Sequence, residues 1–216
     1  MSDPAPYTSL VLIRHGETEW NSAARIQGYR DIGLSDRGRR QADVLARHLA
    51  GHRLDAIYAS DLSRAIQTAE PLARTRGMEV RVDARLKERG FGIFEGHTYD
   101  EAQAKWPNEY AVWRQRDPAH ALPGGESYLQ ARARVLQCLD QIVQEHAGRT
   151  VAILTHGGVL DIVYRAAVGI PWQTPRSHLL PNASINHVQA RHPGPELVVL
   201  AWAQSEHLDA ARDELA

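Results

Sequence analysis

A short apolar run, residues 10–13, ends in Arg14-His15-Gly16-Glu17-Thr18-Glu19-Trp20-Asn21, and a second, residues 151–154, ends in Thr155-His156-Gly157-Gly158. Both runs read as strands that deliver an imidazole to the carboxyl edge of a sheet, where open α/β folds build their sites. Two strand-end His-Gly turns in one chain are hard to explain as core packing, and they put the two histidines in equivalent places. Arg14 adds a planar fork of N–H donors matched to phosphate oxygens, and Gly16 lets a ligand approach the backbone closely. Gly157 and Gly158 open a helix whose first N–H groups and dipole favour an anion. The chemistry indicated is phosphoryl transfer, with His15 as a nucleophile.

Four more strand-like runs, at 56–59, 80–82, 185–189 and 197–202, alternate with helical stretches, so the chain is expected to form an α/β sandwich. Ser35 is placed to cap a helix with Ala42, Leu45, Ala46 and Leu49 on one face and Gly51 as its stop. A helix is expected over about 62–76, kinked or broken at Pro71, and the longest over 126–146. The 96–125 stretch has Trp106, Trp113 and no strand pattern. It reads as a helical insertion over the sheet edge, covering substrate and setting specificity. Arg64 falls in the first turn of the helix that follows the 56–59 strand. A cation there opposes the helix dipole, and a bound anion is the natural compensation.

The length of 216 residues fits a single domain. With 25 basic against 26 acidic side chains the net charge is -1, so no bulk field recruits nucleic acid or an acidic membrane, and a small substrate is favoured. No apolar stretch is long enough to span a bilayer. One cysteine, Cys138, forms no internal disulfide, and residues 1–7 lack the apolar core of a signal peptide. A cytoplasmic protein is expected. His48 and His52 have metal-like spacing, but no carboxylate completes a site and they read as a solvated helix end; His178, His187 and His192 likewise show no partners. The glycines at 90, 92 and 96 lack the spacing of a dinucleotide fingerprint.

The run from Arg14 to Asn21 resembles the defining motif of the histidine phosphatase superfamily, the phosphoglycerate-mutase-like fold. The resemblance extends over about residues 10–208: Ser60 to Ala69 is similar to its second arginine motif, Pro123-Gly124-Gly125-Glu126-Ser127 to the turn before its long helix, and His207-Leu208 to its closing pattern. It implies a three-layer α/β/α sandwich with a mostly parallel mixed sheet and a helical cap. It also implies a metal-independent, cofactor-free reaction in which His15 is phosphorylated and Glu88, in Leu86-Lys87-Glu88, is the general acid and base. Arg14, Arg64, His156, Asn21 and Gly157 are then expected to hold the phosphoryl group, with Thr18, Gln27 and Gly28 beside it. A small phosphorylated metabolite is the expected partner, with phosphate or vanadate as site ligands.

Two activities share this chemistry, because the phosphoryl group passes to water in a phosphatase and to a phosphoglycerate in a mutase. Glu95-Gly96, where mutases carry Gln-Gly, and the short 96–125 insertion favour the phosphatase branch, similar to broad-specificity and α-ribazole phosphatases. Arg89 and Tyr99 remain compatible with a mutase. A binding module that has lost catalysis is the third reading, disfavoured because Arg14, His15, Arg64, Glu88 and His156 are all present. The 197–202 strand offers an edge that can pair across a homodimer.

Overall fold

The strand ends that carry the two histidines become neighbours because their strands pair directly. The computed structural model describes residues 6–209; residues 1–5 of the segment read for a signal sequence, and residues 210–216, lie outside the described residues. In chain order the strands are β1 (Thr8–Arg14), β2 (Ala56–Ala59), β3 (Val80–Val82), β4 (Thr150–Thr155), β5 (Ile185–Arg191) and β6 (Glu196–Gln204). The helices are α1 (Glu19–Ser22), α2 (Asp36–Leu49), α3 (Ser63–Arg76), α4 (Tyr99–Lys105), α5 (Pro107–Arg114), α6 (Tyr128–Glu145), α7 (Gly157–Val168) and α8 (Glu206–Asp209). The sheet order is β3-β2-β4-β1-β5-β6, parallel from β3 to β1 and antiparallel across β5 and β6.

Alternation along the strands produces the three layers. In β1, Leu10 and Leu12 pack with α6 and α7, while Val11 and Ile13 pack with α2 and α3; β4 divides in the same way, Val151 and Ile153 against Ala152 and Leu154. Strands buried on both faces read as unbroken apolar runs, which is why β1, β2 and β4 stand out in the sequence.

Ser35 caps α2, its hydroxyl accepting from the Gly38 N–H. The α3 helix runs unbroken through Pro71 and stops at Gly77, whose φ of 61° is left-handed. Pro71 removes one ladder bond, and the flanking turns, packed through Ala69, Leu72 and Ala73, hold the helix together. The longest helix starts later than the sequence suggests, at Tyr128, because Ser127 forms a capping box with Gln130. The insertion forms α4 and α5 around a small core of its own, where Ala102, Trp106, Tyr110 and Trp113 pack with Ile26 and Phe94.

Candidate active site

Register fixes the centre of the site. Arg14 on β1 pairs with Thr155 on β4, so His15 and His156 each lie one residue beyond adjacent parallel strands. The His15 N–H donates to the Thr155 carbonyl (2.9 Å), and the two rings lie 5.2 Å apart. A cavity of about 430 Å³ opens there. Of the residues expected to act together, Arg14, His15, Arg64 and Glu88 line it, as do Asn21, Gln27, Gly28 and Gly157.

His15 is 3% exposed, and its Nδ1 lies 2.7 Å from the Gly16 carbonyl. A carbonyl only accepts, so Nδ1 carries the proton and Nε2 keeps its lone pair. Burial, then the charges of Arg64 and Arg14, hold the His15 pKa well below the usual value. The ring is a neutral base with one free nitrogen.

His156 sits behind the cavity wall instead of lining it. Arg64 Nε–H donates to its Nδ1 (3.2 Å), so Nε2 bears the proton and donates to Ser60 Oγ (2.8 Å). Both nitrogens have partners within the protein, and through Nδ1 His156 orients Arg64. The Arg64 guanidinium is completely buried, and its two terminal nitrogens donate to the Arg30 and Gly28 carbonyls (2.8 and 2.9 Å). Its position in the first turn of α3 is therefore compensated by carbonyl dipoles as well as by any anion. Arg14 donates to the Leu180 carbonyl, while its buried Nε has no partner. Burial lowers the Arg14 pKa to about 10, which leaves it cationic at neutral pH.

The anion at the start of α7 is a side chain of the protein. The Gly158 N–H donates to both Glu88 oxygens (3.0 Å each), and the Arg89 N–H to Oε1 (2.7 Å). The helix N-terminus expected to receive a phosphate thus also seats Glu88. A Cβ on residue 158 would lie 2.1 Å from Glu88 Oε1, so glycine is required for this approach. Gly16 also serves a purpose other than the one expected. It does not line the cavity, and a Cβ there would lie 2.6 Å from the Gly38 carbonyl, so its absent side chain admits the start of α2.

Thr18 lies one layer behind the cavity. It is fully buried, caps α1 and donates to Asn21 Oδ1 (3.1 Å), so it positions Asn21 without lining the cavity. Asn182, unmarked by any motif in the sequence, donates to the carbonyls of His15 (3.0 Å) and Gly16 and to Asn21 Oδ1 (3.2 Å). Glu95 braces two loops: its Oε1 accepts from the Tyr29 and Phe91 N–H groups (3.0 and 2.9 Å).

Sequence reasoning also missed Arg134. It donates to the carbonyls of Arg85, Lys87 and Glu88 and forms a two-pronged ion pair with Glu126 (both 2.7 Å), stapling the Glu88 loop to α6. The signal available was an i+8 spacing across a helix cap, too weak to read. The insertion contributes Tyr99, Trp113 and Arg116 to the cavity, and the segment after α7 contributes Trp172, Arg176 and Leu180. Arg116 has a φ of 56°, uncommon for a side-chain-bearing residue; it is held by its bond to the Trp172 carbonyl (2.8 Å) and by stacking 4.1 Å above the Trp172 ring. Two of the histidines set aside do have carboxylate neighbours: His178 sits 3.0 Å from Asp161 and His192 2.8 Å from Asp140.

Residues 10–203 match the histidine phosphatase superfamily, branch 1. The metal-independent phosphoserine phosphatase of Arabidopsis thaliana is 37% identical over 206 residues, which cover 94% of this chain and 84% of that protein. Phosphoglycerate mutase-like protein 4 of the same plant is 34% identical over 211 residues, covering 96% and 90%. The solved structure of mycobacterial glucosyl-3-phosphoglycerate phosphatase with VO3 superposes with a TM-score of 0.81 at 32% identity, covering 91% of this chain and 99% of that one. With these relatives spanning its length and the two strand-end histidines paired at its centre, the chain belongs to the histidine phosphatase superfamily.

Proposed function

We propose that this chain is a metal-independent phosphatase that hydrolyses small phosphate monoesters through a phosphohistidine on His15. The observation that carries the reading is the His15 tautomer: a buried neutral imidazole, protonated on Nδ1, presents Nε2 to a cavity whose lining includes Arg14, Arg64 and Glu88. Nε2 attacks phosphorus and the ester P–O bond breaks. Glu88, acting as the general acid, gives a proton to the departing alkoxide. Water then attacks the phosphohistidine, Glu88 takes a water proton, the P–N bond breaks and phosphate leaves. Arg14, Arg64 and the Asn21 amide hold the phosphoryl oxygens, supplying the fixed positive charge that a metal supplies elsewhere. His156, Thr18 and Asn182 are positioning residues, and Gln27, Gly28 and Gly157 complete the wall.

The relatives named as phosphoserine and glucosyl-3-phosphoglycerate phosphatases support hydrolysis, and the one bearing vanadate supports an anion in this cavity. The leaving group lies against the cap, residues 96–125 of a single catalytic domain, and against Trp172 and Arg176. No helix among the described residues is long and apolar enough to cross a membrane, and a small phosphorylated metabolite is the substrate class. Phosphate release from a panel of monoesters, in chelator and with a mutase assay containing bisphosphoglycerate in parallel, tests the reading. Release is expected, and His15→Ala lowers it at least ~10³-fold; retained release in that variant, or phosphoryl transfer outpacing hydrolysis, refutes it.

A further inference from the structure

The folded chain gathers four histidines on the α2 side of the sheet, far apart in sequence and outside the catalytic cavity. His48 lies in the last turn of α2, and His52 follows four residues later, its ring 5.4 Å from that of His48. The α8 helix returns to the same place and sets the His207 ring 5.0 Å from His48. His187 on β5 shares a sheet face with Ile185, which packs among Leu45, Ala46 and Leu49 of α2. None of the four lines the cavity around His15.

His207 supplies a second, independent observation. It is 8% exposed, and its Nε2 is buried without a hydrogen-bond partner. A buried imidazole nitrogen that the protein leaves without a partner is available as a lone pair for a metal ion. A buried acceptor without a donor is otherwise costly. The spacing fits as well. With a metal–nitrogen bond of about 2.0–2.1 Å, two imidazoles on one tetrahedral ion have ring centres about 5 Å apart. No three of these side chains yet close on one point, but His48 and His52 are exposed, and Glu206, beside His207, offers a carboxylate.

We propose that His48, His52 and His207, with His187 at the edge, form a binding site for a late first-row divalent cation of the zinc, nickel or copper class. A neutral set of imidazoles selects these borderline ions over magnesium or calcium, which require oxygen ligands. The ion would bind on the face opposite α6 and α7 and take no part in the chemistry at His15.

The test uses the full chain without an affinity tag, in the His15→Ala background so that the catalytic imidazoles do not compete. Zn2+ is titrated against a chelating indicator, and Co2+ is followed by its visible absorption. One equivalent is expected with a Kd of ~10 μM or tighter, with Co2+ bands of a tetrahedral nitrogen set. The surface double variant His48→Gln/His52→Gln should weaken Zn2+ at least tenfold, and His207→Asn, which removes the Nε2 lone pair, should do the same with circular dichroism unchanged. Absence of saturable binding below ~100 μM, or an unaltered affinity in the double variant, overturns the proposal.

Discussion

Glu88 and Gly158 together give the sharpest test of the acid in this site. A methyl group on residue 158 would lie 2.1 Å from Glu88 Oε1 and 3.1 Å from its Cδ, so the carboxyl group has to retreat by roughly 1 Å to reach ordinary contact. The fold tolerates the change, because residue 158 lies in α7 and its obstacle is the end of a side chain. The acid does not. Displacement by about 1 Å can cost ~10²-fold, within the 10²–10⁴-fold range of general acid catalysis. Gly158→Ala should therefore lower kcat/KM about 100-fold for an alkyl phosphate, whose alkoxide must be protonated as it leaves. For para-nitrophenyl phosphate, whose anion leaves unaided, the loss should stay below about tenfold, since kcat/KM reports the first displacement alone. Glu88→Gln should reproduce the same contrast. An equal loss on both substrates, or no loss on the alkyl ester, refutes the assignment of Glu88 as the proton donor.

Three further outcomes follow from the geometry. Burial and neighbouring arginines depress the pKa values of His15 and His156, so below about pH 6.5 the unfolded chain binds more protons than the folded one and stability falls with pH, by up to about 1.4 kcal/mol per unit for each histidine; urea unfolding between pH 5 and 7 should show a shallower slope in His15→Gln, and identical slopes contradict the buried neutral pair. Over the same range the nucleophile stays neutral, so kcat/KM should not titrate off near 6.5. Arg134→Met leaves Glu126 without its ion pair and frees three loop carbonyls, and should cost about 3–5 kcal/mol in urea unfolding while lowering kcat/KM; a loss under 1 kcal/mol would show that the loop stands without it. Burial pushes the Cys138 thiol up to about 12, so thiol reagents should label it only at the rate of unfolding, and fast labelling of native protein contradicts that burial.

The sequence determined the strands, most helices and the centre of the site, because each rests on local signals. Strands buried on both faces have to be apolar throughout, Ser35 and Gly77 mark helix ends by their own chemistry, and a strand-end His-Gly is visible without knowing what it faces. Arg14, His15, Arg64 and Glu88 were legible in this way, the last through the family resemblance alone. What lay beyond the sequence was every relation between segments distant in the chain. Only the β1–β4 register put His15 beside His156, and only the packing of α3 brought Arg64 and Ser60 to the two nitrogens of the His156 ring. Likewise Gly158 serves Glu88 from 70 residues away, Arg134 staples a loop from across α6, and His207 comes to rest against His48. The two strand-end histidines fixed the chemistry because a reactive group is a property of residue type. Their division of labour, one imidazole free and one held, was decided by hydrogen-bond partners that only the folded chain brings within reach.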